Sequence, residues 1–134
     1  MNRKILVWAA ILGALSIGLG AFGAHGLKKL IEPDQIAVFK TGVEYQMYHA
    51  LFLLFLGLQS VINKKLTQLI FYFTITGVLF FSGSLYLLAT NAVTTFDFRI
   101  LGPITPVGGL FLILSWLLVS YGIYKKSTKK LDNM

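Results

Sequence analysis

The sequence predicts an all-α integral membrane protein. Four transmembrane helices form an up-down-up-down bundle with both termini cytoplasmic. Three observations carry this expectation: an apolar composition, four long uncharged runs, and a one-sided charge distribution. The 134 residues are 56% hydrophobic and 13% charged, with mean hydropathy +0.75. A soluble chain carries about 25% charged residues, so too few charges remain to cover a water-facing surface. The length suits one domain, residues 1–134. With no cysteine in the chain, disulfides, thiolate metal sites and cysteine nucleophiles are excluded.

A spanning helix needs about 20 mostly apolar residues. The first candidate span is Ile5 to Phe22, rich in Ala, Gly, Leu and Ile. Its basic start and the AFGA string also resemble a secretory signal. An apolar stretch of 18 residues exceeds the usual signal core, which favours a retained helix. The second span, Tyr45 to Ile62, follows an amphipathic stretch from Pro33 to Glu44. There Ile36, Phe39 and Val43 recur at helical spacing after a first-turn proline. Asn63, Lys64 and Lys65 then separate it from the third span, Leu66 to Ala89, which imposes an antiparallel hairpin. The link from Thr90 to Ile104 holds turn-forming Asn91, Asp97, Gly102 and Pro103 before the fourth span, Thr105 to Tyr124.

Threading four spans places eight Lys and Arg residues against Asp132 on the side of the termini. The other side carries Lys28, Lys29, Lys40 and Arg99 against four acids. The formal charge of +7 therefore lies on one side, which the positive-inside rule makes cytoplasmic. The same placement explains the pI near 9.8 without nucleic acid, for which no basic stripe or recognition module is present. The bilayer is the implied partner, and a second copy or another membrane protein is a further one. Trp8, Tyr72, Trp116, Tyr121 and Tyr124 lie near the inner boundary, as aromatic belts do, and receive no other role.

The outer halves of the spans hold the unusual residues. Small residues let membrane helices approach, and Gly20, Gly23, Gly83, Gly108 and Gly109 are read as packing positions. On the second span, stepping about 100 degrees per residue places Glu44, Tyr45, Gln46, Tyr48 and His49 on one stripe. Val43, Met47, Ala50 and Leu54 fall opposite. Ionisable groups are costly in hydrocarbon, so Glu44, Tyr45, Tyr48 and His49 are expected to face the interior and Val43, Met47 and Leu54 to face lipid. Together with His25, Ser82, Ser84, Tyr86 and Thr105, the stripe forms a candidate polar cluster near the outer leaflet. His49 reads as a hydrogen-bonded interior residue, as a proton-transfer group, or as a haem or metal ligand. A metal site of His25, His49 and Glu44 is conceivable, though no spacing demands it. No hydrolase, phosphate-binding or haem-attachment motif occurs, so no catalytic residue and no cofactor is assigned.

The strings GAFGAHGL, TGVEYQMYHAL, FSGSLY and GPITPVGG, in this order on four spans, resemble domain-of-unknown-function family 423. The matching positions are Gly20 to His25, Glu44 to Gln46 with His49, Phe81 to Tyr86, and Thr105 to Gly109. The resemblance covers nearly the whole chain, with the IEPDQIAVF stretch and the lysine-rich tail peripheral to it. It implies a small four-helix bacterial plasma-membrane protein and no particular reaction. The leading expectation is a non-enzymatic protein supporting membrane integrity or assembly. A small proton-coupled carrier using Glu44 and His49 is the alternative, and a haem- or metal-binding membrane protein is the second.

Overall fold

The computed structural model describes residues 1–134 and is all helical. Its four long helices are α1 (Arg3–Ala24), α2 (Pro33–Leu58), α3 (Lys64–Ala89) and α4 (Ile104–Asp132). Short 3-10 turns at Leu27–Lys29, Asn91–Val93 and Phe98–Leu101 fill the longer connections. α1, α3 and α4 are long and apolar enough to cross a membrane. α2 is as long as α3, at 26 residues, but Glu44, Gln46 and His49 lower its hydropathy.

Local chemistry sets the helix ends. Asn2 and Asn63 accept from the backbone N–H of Ile5 and Leu66, at 3.2 and 2.9 Å, and so cap α1 and α3. Pro33 opens α2 with its φ already helical. The amphipathic stretch and the second apolar run thus form one unbroken helix. It stops at Leu58, short of the expected Ile62, because the Gln59 side chain takes the N–H of Ile62 at 2.7 Å and turns the chain. Lys64 and Lys65 occupy the first turn of α3, where the helix dipole disfavours cations. Their placement therefore adds nothing to helix stability.

Consecutive helices pack antiparallel, α1 on α2, α2 on α3 and α3 on α4, with no α1–α4 seam of comparable extent. One apolar core fills the end bearing the termini, built from Ile5, Ala9, Phe52, Leu53, Leu56, Ile62, Ile70, Phe71 and Val119. A smaller one at the opposite end gathers Leu27, Ile31, Phe39 and Ala89, so the first linker folds back over the helix ends. Between the two cores the interior is built from glycines, serines and buried amide and imidazole groups. Close approach replaces bulk there. Added Cβ atoms at Gly42, Gly57, Gly77 and Gly122 would lie 2.6–2.9 Å from Tyr86, Leu6, Leu112 and Leu66 respectively.

Candidate functional site

α2 carries the central polar residues, and its buried arc differs from the expected one. The arc runs through Gly42, Gln46, His49, Ala50, Leu53 and Leu56. Tyr45 and Tyr48 are exposed instead, at 40% and 52%, and Glu44 is only half-buried. Val43, Met47 and Leu54, expected to face lipid, are half-buried as well, and Ala50, on the same predicted side, is fully buried. The buried centre thus sits about 80 degrees from the predicted stripe, at about 100 degrees per residue. The cause is steric. α1 and α3 approach α2 over its smallest residues, Gly42, Ala50 and Gly57, which turns that arc inward and leaves Tyr45, against Phe81 of α3, and Tyr48 at its margin.

Gln46 joins three helices. Its Nε2 donates to the Leu12 carbonyl on α1 at 2.9 Å, and its Oε1 accepts from the Tyr86 hydroxyl on α3 at 2.7 Å. A carbonyl only accepts, so the amide can be oriented only this way. The hydroxyl of Ser16 shares the same Leu12 carbonyl at 2.8 Å. One turn away, Ser82 donates from α3 to the Gly42 carbonyl of α2 at 2.7 Å, across a gap that only glycine leaves open. On the α3–α4 seam, the Ser84 hydroxyl bonds that of Thr105.

His49 is 3% exposed and has both ring nitrogens engaged. Nδ1 lies 2.7 Å from the Tyr45 carbonyl, and Nε2 lies 3.1 Å from the Trp116 indole N–H on α4. Indole N–H donates only and a carbonyl accepts only. The geometry therefore fixes neutral imidazole with its proton on Nδ1. Protonating Nε2 would set two donors against each other. Phe52 packs on both rings, with centroids 5.9 and 4.7 Å away. Trp116 is the His49 partner the sequence did not reveal. Its position resembled an aromatic belt, and no spacing rule links it to His49. Tyr72, another such residue, accepts from Lys4 at 2.8 Å and ties α3 to α1.

The expected single cluster therefore resolves into separate ties along several seams. His25 caps the end of α1 and is exposed, and Glu44 lines a groove between α1 and α2. Neither approaches His49, and no three His, Asp or Glu residues gather at a metal-binding distance. Among the predicted packing glycines, Gly23 faces Phe39 at 2.9 Å and Gly108 is pressed against the Phe81 backbone. Gly20 and Gly109 make looser contacts at 3.4 and 3.6 Å. Gly83 faces open space, so its packing role is not realised. The only ion pair, Arg99 with Asp97 at 3.0 Å, stands in the α3–α4 loop. There the guanidinium holds the Asp97 carboxyl below its ordinary range.

Comparison with known proteins places this architecture. A family described as "Protein of unknown function (DUF423)" matches residues 19–109. A UPF0382 membrane protein of Staphylococcus haemolyticus is 43% identical over 92% of this chain and 97% of its own length. One from Haemophilus influenzae is 35% identical over 96% and 99% respectively. The UPF0382 inner membrane protein YgdD of Escherichia coli is 34% identical over 96% and 95%. No solved structure matches. The matched segment contains Gly42, Gly57, Gly77 and Gly108 and every α2 and α3 residue of the polar ties, and the chain belongs to the DUF423 family of membrane proteins of unknown function.

Proposed function

We propose that this protein is a four-span plasma-membrane protein with both termini cytoplasmic, whose role is structural or interactive rather than enzymatic. The antiparallel order supports α2 as the remaining span. From the level of Lys4, Leu58, Lys65 and Tyr124, about 20 residues of each helix cover the hydrocarbon thickness. Eight basic residues then lie on the side of the termini. The inner-membrane name of the Escherichia coli relative agrees with that location. His49 lies nine residues from the end of α2, about 13 Å, and Trp116 lies about 12 Å inside Tyr124, so the pair sits near the midplane.

The observation that carries the structural reading is the double engagement of His49. A proton carrier needs a free ring nitrogen on a path, whereas both nitrogens here are spent on one helix carbonyl and one indole N–H. Glu44, the other carrier candidate, faces a different surface. Polar groups in a water-free interior must bond one another, so these ties fix which helix faces meet.

Two measurements test the reading. An alkaline phosphatase fused to the C-terminus is expected to be inactive in cells, and an active fusion would overturn the topology. His49→Gln, which keeps hydrogen bonding without titrating, is expected to stay folded and to preserve any membrane phenotype of the gene. His49→Leu is expected to lose stability. A folded His49→Gln protein without that phenotype would favour the carrier.

A further inference from the structure

We propose that the groove between the outer ends of α1 and α2 binds one single-chain phospholipid. Its phosphate would sit on Lys28 and Lys40, and its free glycerol hydroxyl would donate to Glu44. The groove has a volume of about 410 Å³. Gly20, Gly23, Phe39 and Val43 form its apolar lining. Phe39 and Val43 rest directly on Gly23 and Gly20, 2.9 and 3.4 Å from an added Cβ, so the close α1–α2 contact is the floor and Ala24, Ile36, Lys28, Lys40 and Glu44 rim it.

The charges around it are unspent. Lys28 and Lys40 are exposed, Glu44 is half-buried, and the three form no ion pair. Lys28 stands past the end of α1, in the 3-10 turn Leu27–Lys29. The Lys40 side chain leans toward the N-terminus of α2, as helical side chains do, and hence toward the headgroups. Both cations therefore reach the level of lipid phosphates, while the apolar floor continues down into the hydrocarbon. This depth rests on α2 being a span, as proposed above.

Glu44 selects among lipids. Its Cα is one turn, about 6 Å, deeper than that of Lys40, at glycerol level. A diacyl lipid offers only ester oxygens there, which are acceptors and cannot satisfy a carboxylate. A monoacyl lipid offers a hydroxyl donor, and a groove of about 410 Å³ seats one chain rather than two.

The test uses the full-length protein, delipidated in an alkyl maltoside and read by native mass spectrometry and thermal shift. The probes are monoacyl phosphatidic acid, its diacyl counterpart with the same chains, and glycerol phosphate. One monoacyl lipid is expected per chain, bound more tightly than the diacyl form, with no binding of glycerol phosphate. The double variant Lys28→Gln with Lys40→Gln is expected to weaken binding about tenfold or more. Ala24→Phe, an exposed position lining the groove, is expected to abolish it. Glu44→Gln is expected to narrow the preference for the monoacyl lipid. Melting temperatures of these variants should stay near that of the parent, because none of the four residues is buried.

Equal binding of both lipids, binding of glycerol phosphate alone, or no binding would overturn the site. So would an equal loss from neutralising Lys64 and Lys65 at the opposite end, which would mark general charge attraction. The assay is indifferent to which side the termini face, so its failure and a failed fusion test are separate results.

Discussion

Gly108→Ala isolates what close approach contributes to this fold. The added methyl would meet the Phe81 backbone nitrogen, the Phe80 carbonyl carbon at 2.7 Å and the Phe80 Cβ at 2.9 Å. Two of these atoms are backbone and cannot rotate away. α3 and α4 must therefore separate along the seam that also holds Gly77 and the Ser84–Thr105 bond. Overpacking of a tight interior costs about 1–3 kcal/mol, occasionally more. Alanine gains about 0.5–1 kcal/mol over glycine in a helix, which offsets part of that cost. Gly83→Ala supplies the reference, because nothing lies within 4 Å of its added methyl. It should stabilise by about the propensity term alone. The two variants should therefore differ by about 2 kcal/mol or more, with Gly108→Ala the less stable. Gly109→Ala should lie near Gly83→Ala, since its contact with Phe81 at 3.6 Å is ordinary. Reversible unfolding in bicelles, followed by helicity, reads this order directly. Gly108→Ala as stable as Gly83→Ala would refute the claim that glycine contact holds the α3–α4 seam.

Three further outcomes follow from the polar ties. Gln46→Leu strands the Tyr86 hydroxyl and should cost more than Tyr86→Phe, and a double-mutant cycle should give a coupling of about 0.6–2 kcal/mol. Trp116→Phe removes the only donor to His49 Nε2, so the imidazole ¹⁵N shifts should change while the helix content does not; unchanged shifts would refute the assigned tautomer. Asp97 should titrate below the usual carboxylate range by carbonyl ¹³C NMR, and Arg99→Gln should return it upward. A depressed folded pKa means the pair stabilises above the unfolded value and loses that contribution as pH falls through the folded one. Both side chains are exposed, so added salt should erase most of the effect.

The sequence by itself determined the membrane class and the helix count, because these depend on local quantities. Uncharged runs such as Leu66 to Ala89 state their own environment, and Asn2, Pro33 and Asn63 state where helices begin. Family strings around Gly20, Glu44 and Ser82 were legible for the same reason. Which face of α2 is buried was not. On a helix that packs against other apolar helices, hydrophobic periodicity carries little information, since most faces tolerate apolar residues. Tyr48 and Gln46 are two residues apart and similarly polar, yet one is exposed and the other joins three helices. Only packing decided between them. α1 and α3 approach where α2 has Gly42, Ala50 and Gly57, and whatever polar group stands on that narrow arc must find its partner there. The pairing of His49 with Trp116, 67 residues away, is set by the same approach, because only the folded helices bring an indole donor to an imidazole lone pair.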